Sequence, residues 1–318
     1  MIKKLSEALI EFEKYQRVYE QEEGGDEGKG GKTKKDFQSK FDQFKQFLTG
    51  ITGSKSSGGA NPLASKDSEV SSARSYETGS GDFSNVDKMI KTVVKYLNKH
   101  GITNPLVQRA ILACIGKESG FTATKEASYK TTSPARIRQV FGSRFSGLSD
   151  EEINKLKQDD AAFWDKVYGG DFGRKQLGNT QPGDGAKYLG RGFNGITGRA
   201  TYQVYSDMLK KAGTNVDLIA NPEILEKSPD ISAEVNALYF LRGLSDPLIK
   251  SKYGNKDPND FKDFDTALKA VINTNAGSGT DITKGFAKVS YDAAISANNK
   301  LGSKFQQAIS GGEESRTA

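Results

Sequence analysis

The sequence predicts a mainly α fold, and three observations carry that reading. Beyond Asp82 apolar residues recur at helical spacing, beginning with Val86, Met89, Ile90, Val93, Val94 and Leu97. Helix-start signals stand ahead of such runs: Asn104 before Pro105, and Ser149 three residues before Glu152. Runs of alternating β-branched and aromatic residues, the mark of strands, are few.

In chain order, residues 4–20 carry Leu5, Leu9, Ile10, Phe12 and Tyr19 among charges, a short amphipathic helix that EEGGDEGKGGKTKK then breaks. DFQSKFDQFKQFL places Phe37, Phe41, Phe44 and Leu48 on one face of a second. Residues 1–49 therefore read as short helices with a sticky side, an anchoring segment, and the Gly- and Ser-rich residues 50–82 as a flexible linker. One helical domain is expected over 83–310, with 311–318 as a tail. Its first helix stops at Gly101, a good residue for the left-handed position after a helix end. The second runs from the Asn104 cap and Pro105 to Gly120 and buries Leu106, Ala110, Ile111, Ala113 and Cys114. Ser149 and Glu152 make a capping box ahead of EEINKLK. Further helices are expected at 159–168, 198–212, 231–242, 264–273 and 282–300.

Composition excludes several kinds of chemistry. The 318 residues include one cysteine, Cys114, and one histidine, His100. No internal disulfide framework and no multi-histidine zinc site can be built from these. His100 follows KYLNK at a helix end and reads as a cation there rather than as a catalytic base. Cys114 lies among Ile111, Ala113 and Ile115 and reads as buried packing, which argues against a cysteine peptidase built on it and His100. Neither a metal nor a nucleotide is expected as cofactor.

The net charge of +6 is mild and spread along the chain. It suits an anionic polymer such as a bacterial cell wall better than nucleic acid, and no nucleic-acid partner is expected. MIKKLSEALIEFEKYQ carries Glu7, Glu11 and Glu13 where a secretory leader has an apolar core, and no window reaches membrane-spanning length. Neither a cleaved leader nor membrane insertion is expected.

Residues 190–195, GRGFNG, match the glycine pattern of dinucleotide-binding loops. That pattern works between a buried strand and a helix. Here the approach is GNTQPGDGAKYL, whose Pro182, Gly178, Gly183 and Gly185 cannot form such a strand. The loop needs another explanation.

Two glutamates offer one. Glu118, in LACIGKESGF, stands in the last turn of an apolar helix, so its carboxyl is expected at the edge of the core, where burial disfavours the charged form and suits a general acid. Eight residues on, Glu126 in TATKEASY falls in a polar loop, where a carboxylate stays ionised and can activate water. Two carboxyls in contrasting surroundings are the requirement for cleaving a glycosidic bond. Spacing alone also allows two solvated glutamates around a helix end.

A family resemblance, carried by a series of motifs, favours the first. KESGF, KEASY, FWDKVYGGDFGRKQLGN, GDGAKYLGRGFNGITGRATY, VDLIANPEIL and NTNAG follow one another from Glu118 to Ala276. This half of the chain resembles glycoside hydrolase family 19, the plant-type chitinases and the related phage and bacterial lysozymes (endolysins). The resemblance implies a lysozyme-like, two-lobed helical fold and an inverting mechanism, with carboxyls about 6.5–9.5 Å apart to admit a water. It implies that Glu118 is the general acid, Glu126 the base, Thr197 a hydroxyl that positions the water, and Asn275 a contact to the sugar N-acetyl group. GRGFNG then becomes the floor of a sugar cleft.

Departures from the family pattern fall at Gly195, where glutamine is usual, and at Thr201, where asparagine is common. Both remove amide contacts to substrate and put affinity or subsite preference in question. Tyr188, Arg191 and Arg199 complete the candidate substrate-binding set. The arginines read equally as contacts to an anionic glycan strand or as structural partners of acids. Trp164, Tyr168, Tyr188 and Phe193 read as sugar-stacking faces or, better, as core.

The expected activity is hydrolysis of the β-1,4 glycan of peptidoglycan. A chitinase is the rival within the family, and a glycan-binding virion protein with weakened catalysis is the rival outside it. An anchoring segment on slack linker suits a lysozyme carried in a phage tail and held by tail proteins through residues 1–50. The alternative is a free endolysin released from the host cytoplasm at lysis.

Overall fold

Four helices begin with the same pair of signals, a side chain that caps the first free N–H groups and a proline in the first turn. The pairs are Asn104–Pro105, Ser133–Pro134, Ser228–Pro229 and Asp246–Pro247. The capping oxygen satisfies one orphan donor and proline lacks one, so each pair fixes a start. The computed structural model describes residues 77–78 and 85–314, and these are mainly helical.

The longer helices are α1 (Val86–Lys99), α2 (Pro105–Glu118), α3 (Pro134–Phe141), α4 (Asp150–Leu156), α5 (Asp160–Tyr168), α6 (Arg199–Lys211), α7 (Pro229–Leu244), α8 (Pro247–Tyr253), α9 (Phe264–Ala276) and α10 (Gly285–Glu314). Three two-residue strands, β1 (Glu77–Thr78), β2 (Thr124–Lys125) and β3 (Arg191–Gly192), make an antiparallel sheet in that order. The register sets Thr78 opposite Thr124 and Thr124 opposite Gly192.

Several expectations need amendment. Helices α3 and α8 were not expected, although Ser133–Pro134 and Asp246–Pro247 announce them; each is short, so periodicity is faint. Helix α10 runs to Glu314, through the expected stop at 300 and into the expected tail. Phe305, Ala308 and Ile309 are buried, and their packing carries the helix past Gly302. Glu77 and Thr78, placed in the linker by composition, pair with β2 and belong to the sheet. The amphipathic patches at 4–20 and 37–48, and the rest of the linker, residues 50–76 and 79–82, lie outside the described residues.

The contacts divide the chain into two units. In residues 128–155, Phe141 packs between Tyr129 and Phe145, with ring centroids 5.1 and 5.7 Å away. Arg138 Nη1 donates to Asp150 Oδ1 at 2.5 Å and ties the end of α3 to the start of α4. The expected capping box is present: Ser149 N–H donates to Glu152 Oε2 at 2.7 Å and Glu152 N–H to Ser149 Oγ at 3.2 Å.

In the unit formed by residues 77–127 and 156–314, α2 is apolar around its circumference. Val107, Ala110, Ile111, Leu112, Ala113, Cys114 and Ile115 are all fully buried. A helix apolar on every side belongs in a core, and α2 packs against α9 and α10 while α7 packs against α1 and α9. A second cluster gathers Tyr188, Ile196, Tyr202, Tyr205 and Leu209 with Leu218, Leu225, Val235 and Leu238. Glu118 thus ends the central helix.

Candidate active site

Glu118 closes α2 with its side chain 11% exposed. Two donors converge on one of its oxygens: Asn275 Nδ2, from the last turn of α9, reaches Oε1 at 2.8 Å, and the Lys117 ammonium contacts the same atom. Lys117 is itself only 3% exposed, and its Nζ also donates to Ser290 Oγ of α10 at 3.2 Å. Neighbours in sequence point about 100° apart on a helix. Their meeting at Glu118 therefore depends on the packing of α10 over the end of α2.

The chain then reverses through Ser119–Thr122, where Thr122 N–H donates to Ser119 O at 3.0 Å. Gly120 and Phe121 take positive φ of 59° and 65°. For phenylalanine this costs on the order of 1 kcal/mol. Its fully buried ring, 5.9 Å from that of Phe305, supplies the compensation. Strain is thus stored in the turn that joins the two candidate carboxyls.

Glu126 follows β2. Its N–H donates to Gly190 O at 3.1 Å, extending the pairing of β2 with β3. Its Oε1 accepts from the Tyr168 hydroxyl at 2.7 Å and its Oε2 from Gly190 N–H at 3.3 Å. Tyr168 is the last residue of α5, held by stacking on buried Trp164 at 5.6 Å and by Asn179 Nδ2, which donates to its carbonyl at 2.9 Å. Sequence reading weighed Tyr168 only as a sugar platform or core; its role as partner to Glu126 depends on a contact 42 residues away along the chain.

Thr197 and the Glu126 side chain both approach Gly190. A Cβ placed on Gly190 would lie 3.2 Å from Thr197 Oγ1 and 3.3 Å from Glu126 Cγ, so glycine is what lets the three come together. The Thr197 hydroxyl donates to Gly195 O at 2.9 Å. Arg191 and Ile196 pair across a four-residue loop, through N–H···O bonds of 3.0 and 3.2 Å. GRGFNG is therefore a strand and a tight loop, not a strand-to-helix turn, and its geometry differs from that of a phosphate cradle. Gly195, with φ of 60°, occupies a left-handed conformation that residues with a Cβ resist.

The other candidates separate. Tyr188 is fully buried, packed on Tyr202 at 5.3 Å with its hydroxyl on Ile219 O at 3.1 Å, so the expectation that it binds substrate is corrected to core packing. Phe193 and Trp164 are likewise buried. Arg191, 8% exposed, pairs with Glu226 and donates to Lys187 O at 2.7 Å and to the Tyr202 hydroxyl at 3.3 Å. The structural reading of that arginine is the one observed. Arg199 pairs with Asp184 at 3.0 Å but keeps 36% of its side chain exposed, enough to meet a ligand as well. His100 caps α1, with Nε2 3.0 Å from Glu234, and the Cys114 thiol is fully buried and pushed up to about 12 by desolvation. Neither offers a nucleophile or its base.

A narrow crevice lies between the GRGFNG loop and α7, lined by Arg191, Phe193, Asn194, Asn236 and Tyr239 among others. It encloses about 200 Å³, counting space open to solvent. Tyr239 links it to the acid side, since its hydroxyl proton is shared between Thr274 O at 3.3 Å and Asn275 Oδ1 at 3.4 Å. Among the described residues no group of three or more His, Cys, Asp or Glu side chains is placed to hold a metal, and no described helix is long and apolar enough to cross a membrane. No family model matches the sequence, and comparison with curated proteins finds no match.

Proposed function

We propose that this chain is a glycoside hydrolase of the family 19 kind that cleaves the β-1,4 glycan of bacterial peptidoglycan by inversion. One observation carries the reading: Glu118 leads into the strained Ser119–Thr122 reversal and Glu126 follows it after β2, each oriented by donors from other elements, with the Thr197 hydroxyl and the Glu126 side chain both close to Gly190. Glu118 gives its proton to the glycosidic oxygen as the C1–O bond breaks. A water held by Glu126 and Thr197 adds its oxygen to C1 from the opposite face, and Glu126 takes the released proton. Of the two candidate arginines, Arg199 is the one with surface to meet an anionic strand.

Glu118→Gln keeps the shape of the side chain and its Oε1 acceptor but has no proton of suitable acidity to give. Hydrolysis of purified cell walls should fall by about 10²–10⁴-fold with folding intact. Clearing at the normal rate by this variant would sink the assignment. Mass spectrometry of the products identifies the reducing-end sugar and hence the bond cut; cleavage of chitin with no action on walls would favour the chitinase reading. In the proposed setting residues 1–49 hold the enzyme in a phage tail, which is tested by whether those residues carry an unrelated protein into virions.

A further inference from the structure

We infer that Asn275 and Lys117 form a donor clamp that selects which oxygen of Glu118 carries the transferable proton, making Asn275 a positioning residue rather than a sugar ligand. The inference rests on Glu118 being the general acid.

A carboxylic acid has two oxygens, and a general acid works only when the protonated one faces the leaving group. In this chain the asymmetry is built in. Asn275 Nδ2 and Lys117 Nζ both point donors at Oε1. An oxygen that already accepts from an ammonium and an amide is a poor place for a hydrogen, because the added proton would face two others. The transferable proton is therefore carried on Oε2.

The amide is oriented by its shorter contact, Nδ2 on Glu118 Oε1 at 2.8 Å, which leaves Oδ1 as the end turned to Tyr239. The single hydroxyl proton of Tyr239 is shared between Thr274 O at 3.3 Å and Asn275 Oδ1 at 3.4 Å, so one phenol faces two consecutive residues of α9. Lys117 is held in the same way from the other side by Ser290 of α10. Each donor thus has its own anchor on a different helix, which is the arrangement that keeps a single oxygen fixed while the other acts. One N–H of this amide is spent on Glu118 and its oxygen faces Tyr239, so its position is set from within the protein.

The two roles separate in kinetics. A positioning residue is lost from kcat with substrate affinity kept; a sugar ligand is lost from affinity. In the full-length chain acting on purified cell walls, Asn275→Ala should lower kcat on the order of 10²-fold, the cost of misplacing a reacting group by about 1 Å, with KM moved by less than about threefold. Tyr239→Phe should reproduce a smaller part of that loss, and Lys117→Arg should keep more activity than Lys117→Met. If Asn275→Ala fails to fold, Asn275→Asp and Tyr239→Phe carry the same comparison, with melting temperatures read alongside. Binding provides the arm that does not depend on turnover. With Glu118→Gln as parent, the affinity for an N-acetylglucosamine hexamer, read by calorimetry, should change by less than about threefold when Asn275→Ala is added. Tenfold weaker binding, or an unchanged kcat in Asn275→Ala, overturns the clamp. Full hydrolysis by Glu118→Gln overturns the functional reading instead.

Discussion

The Tyr168 hydroxyl donates to Glu126 Oε1 at 2.7 Å and joins the end of α5 to the residue after β2. The aromatic ring is stacked on Trp164, so the donor arrives on a rigid support. Tyr168→Phe keeps the ring and removes the donor. A hydrogen bond to a charged group is worth about 1.5–3 kcal/mol, and kcat/KM on cell walls should fall at least about tenfold. The melting temperature should shift by only a few degrees. A variant with full activity would show that the contact does not orient the base.

Gly190 and Gly195 should respond to substitution for different reasons. At Gly190 an added Cβ meets Thr197 Oγ1 at 3.2 Å, Glu126 Cγ at 3.3 Å and Gly195 O at 3.4 Å, all in the site. Gly190→Ala should cost about 1–3 kcal/mol of overpacking and most of the activity. At Gly195 nothing lies within 4 Å, and the obstacle is φ of 60°. Gly195→Ala should cost on the order of 1 kcal/mol of stability through backbone strain. Denaturant unfolding and wall clearing, measured on both, separate the two effects; equal loss of activity at equal stability cost would contradict the distinction.

Acid should loosen the junction of α1 and α7. Burial pushes the Glu234 carboxyl up, but hydrogen bonds from Lys99 at 2.6 Å, Thr214 at 2.9 Å and His100 at 3.0 Å outweigh it and hold the group below its ordinary value. A depressed folded-state value stabilises above the unfolded one, about 4.3, and that stability is lost as pH falls through the folded value. Asp217, Asp230, Asp260, Asp265 and Asp281 are lowered too, so the melting temperature should drop steadily below about pH 4.5. Glu234→Gln should lower stability at neutral pH by about 1–3 kcal/mol, since Lys99 is 41% exposed and can turn to water, and should flatten part of the acid decline. An unchanged acid profile in that variant would remove Glu234 from the account.

The pairing of β1 with β2 moves the N-terminal limit of the domain. Composition places it at residue 83, yet Glu77 stands opposite Lys125, the residue before Glu126. A chain shortened to begin at residue 83 loses that strand and exposes the edge of β2. It should melt at lower temperature and hydrolyse walls more slowly than one beginning near residue 70, which should match the full chain. Identical behaviour of the two shortened chains would show that β1 contributes nothing to the site.

The helices were legible where their signals are local. Asn104 and Pro105 start α2, Ser149 and Glu152 cap α4, and apolar spacing outlines α1, α6, α7 and α9, because caps and periodicity depend on residues a few positions apart. Short α3 and α8 carry the same cap and proline at their starts, but too few residues follow for apolar spacing to mark them.

Glu118 and Glu126 are candidates from their contrasting surroundings in the sequence, and Thr197 and Asn275 only from the family resemblance, which names them without saying what each touches. Only the fold sets Asn275 and Lys117 on one oxygen of Glu118, brings Tyr168 to Glu126, and seats Thr197 against Gly190. The same packing buries Tyr188 and pairs Arg191 with Glu226, removing two residues that sequence alone left as candidates. The reason is one of range: local propensity acts over a turn or two of helix, whereas the separation of 157 positions from Glu118 to Asn275 is closed only by burying α2 against α9 and α10, and which side chains meet at its end is decided by that packing.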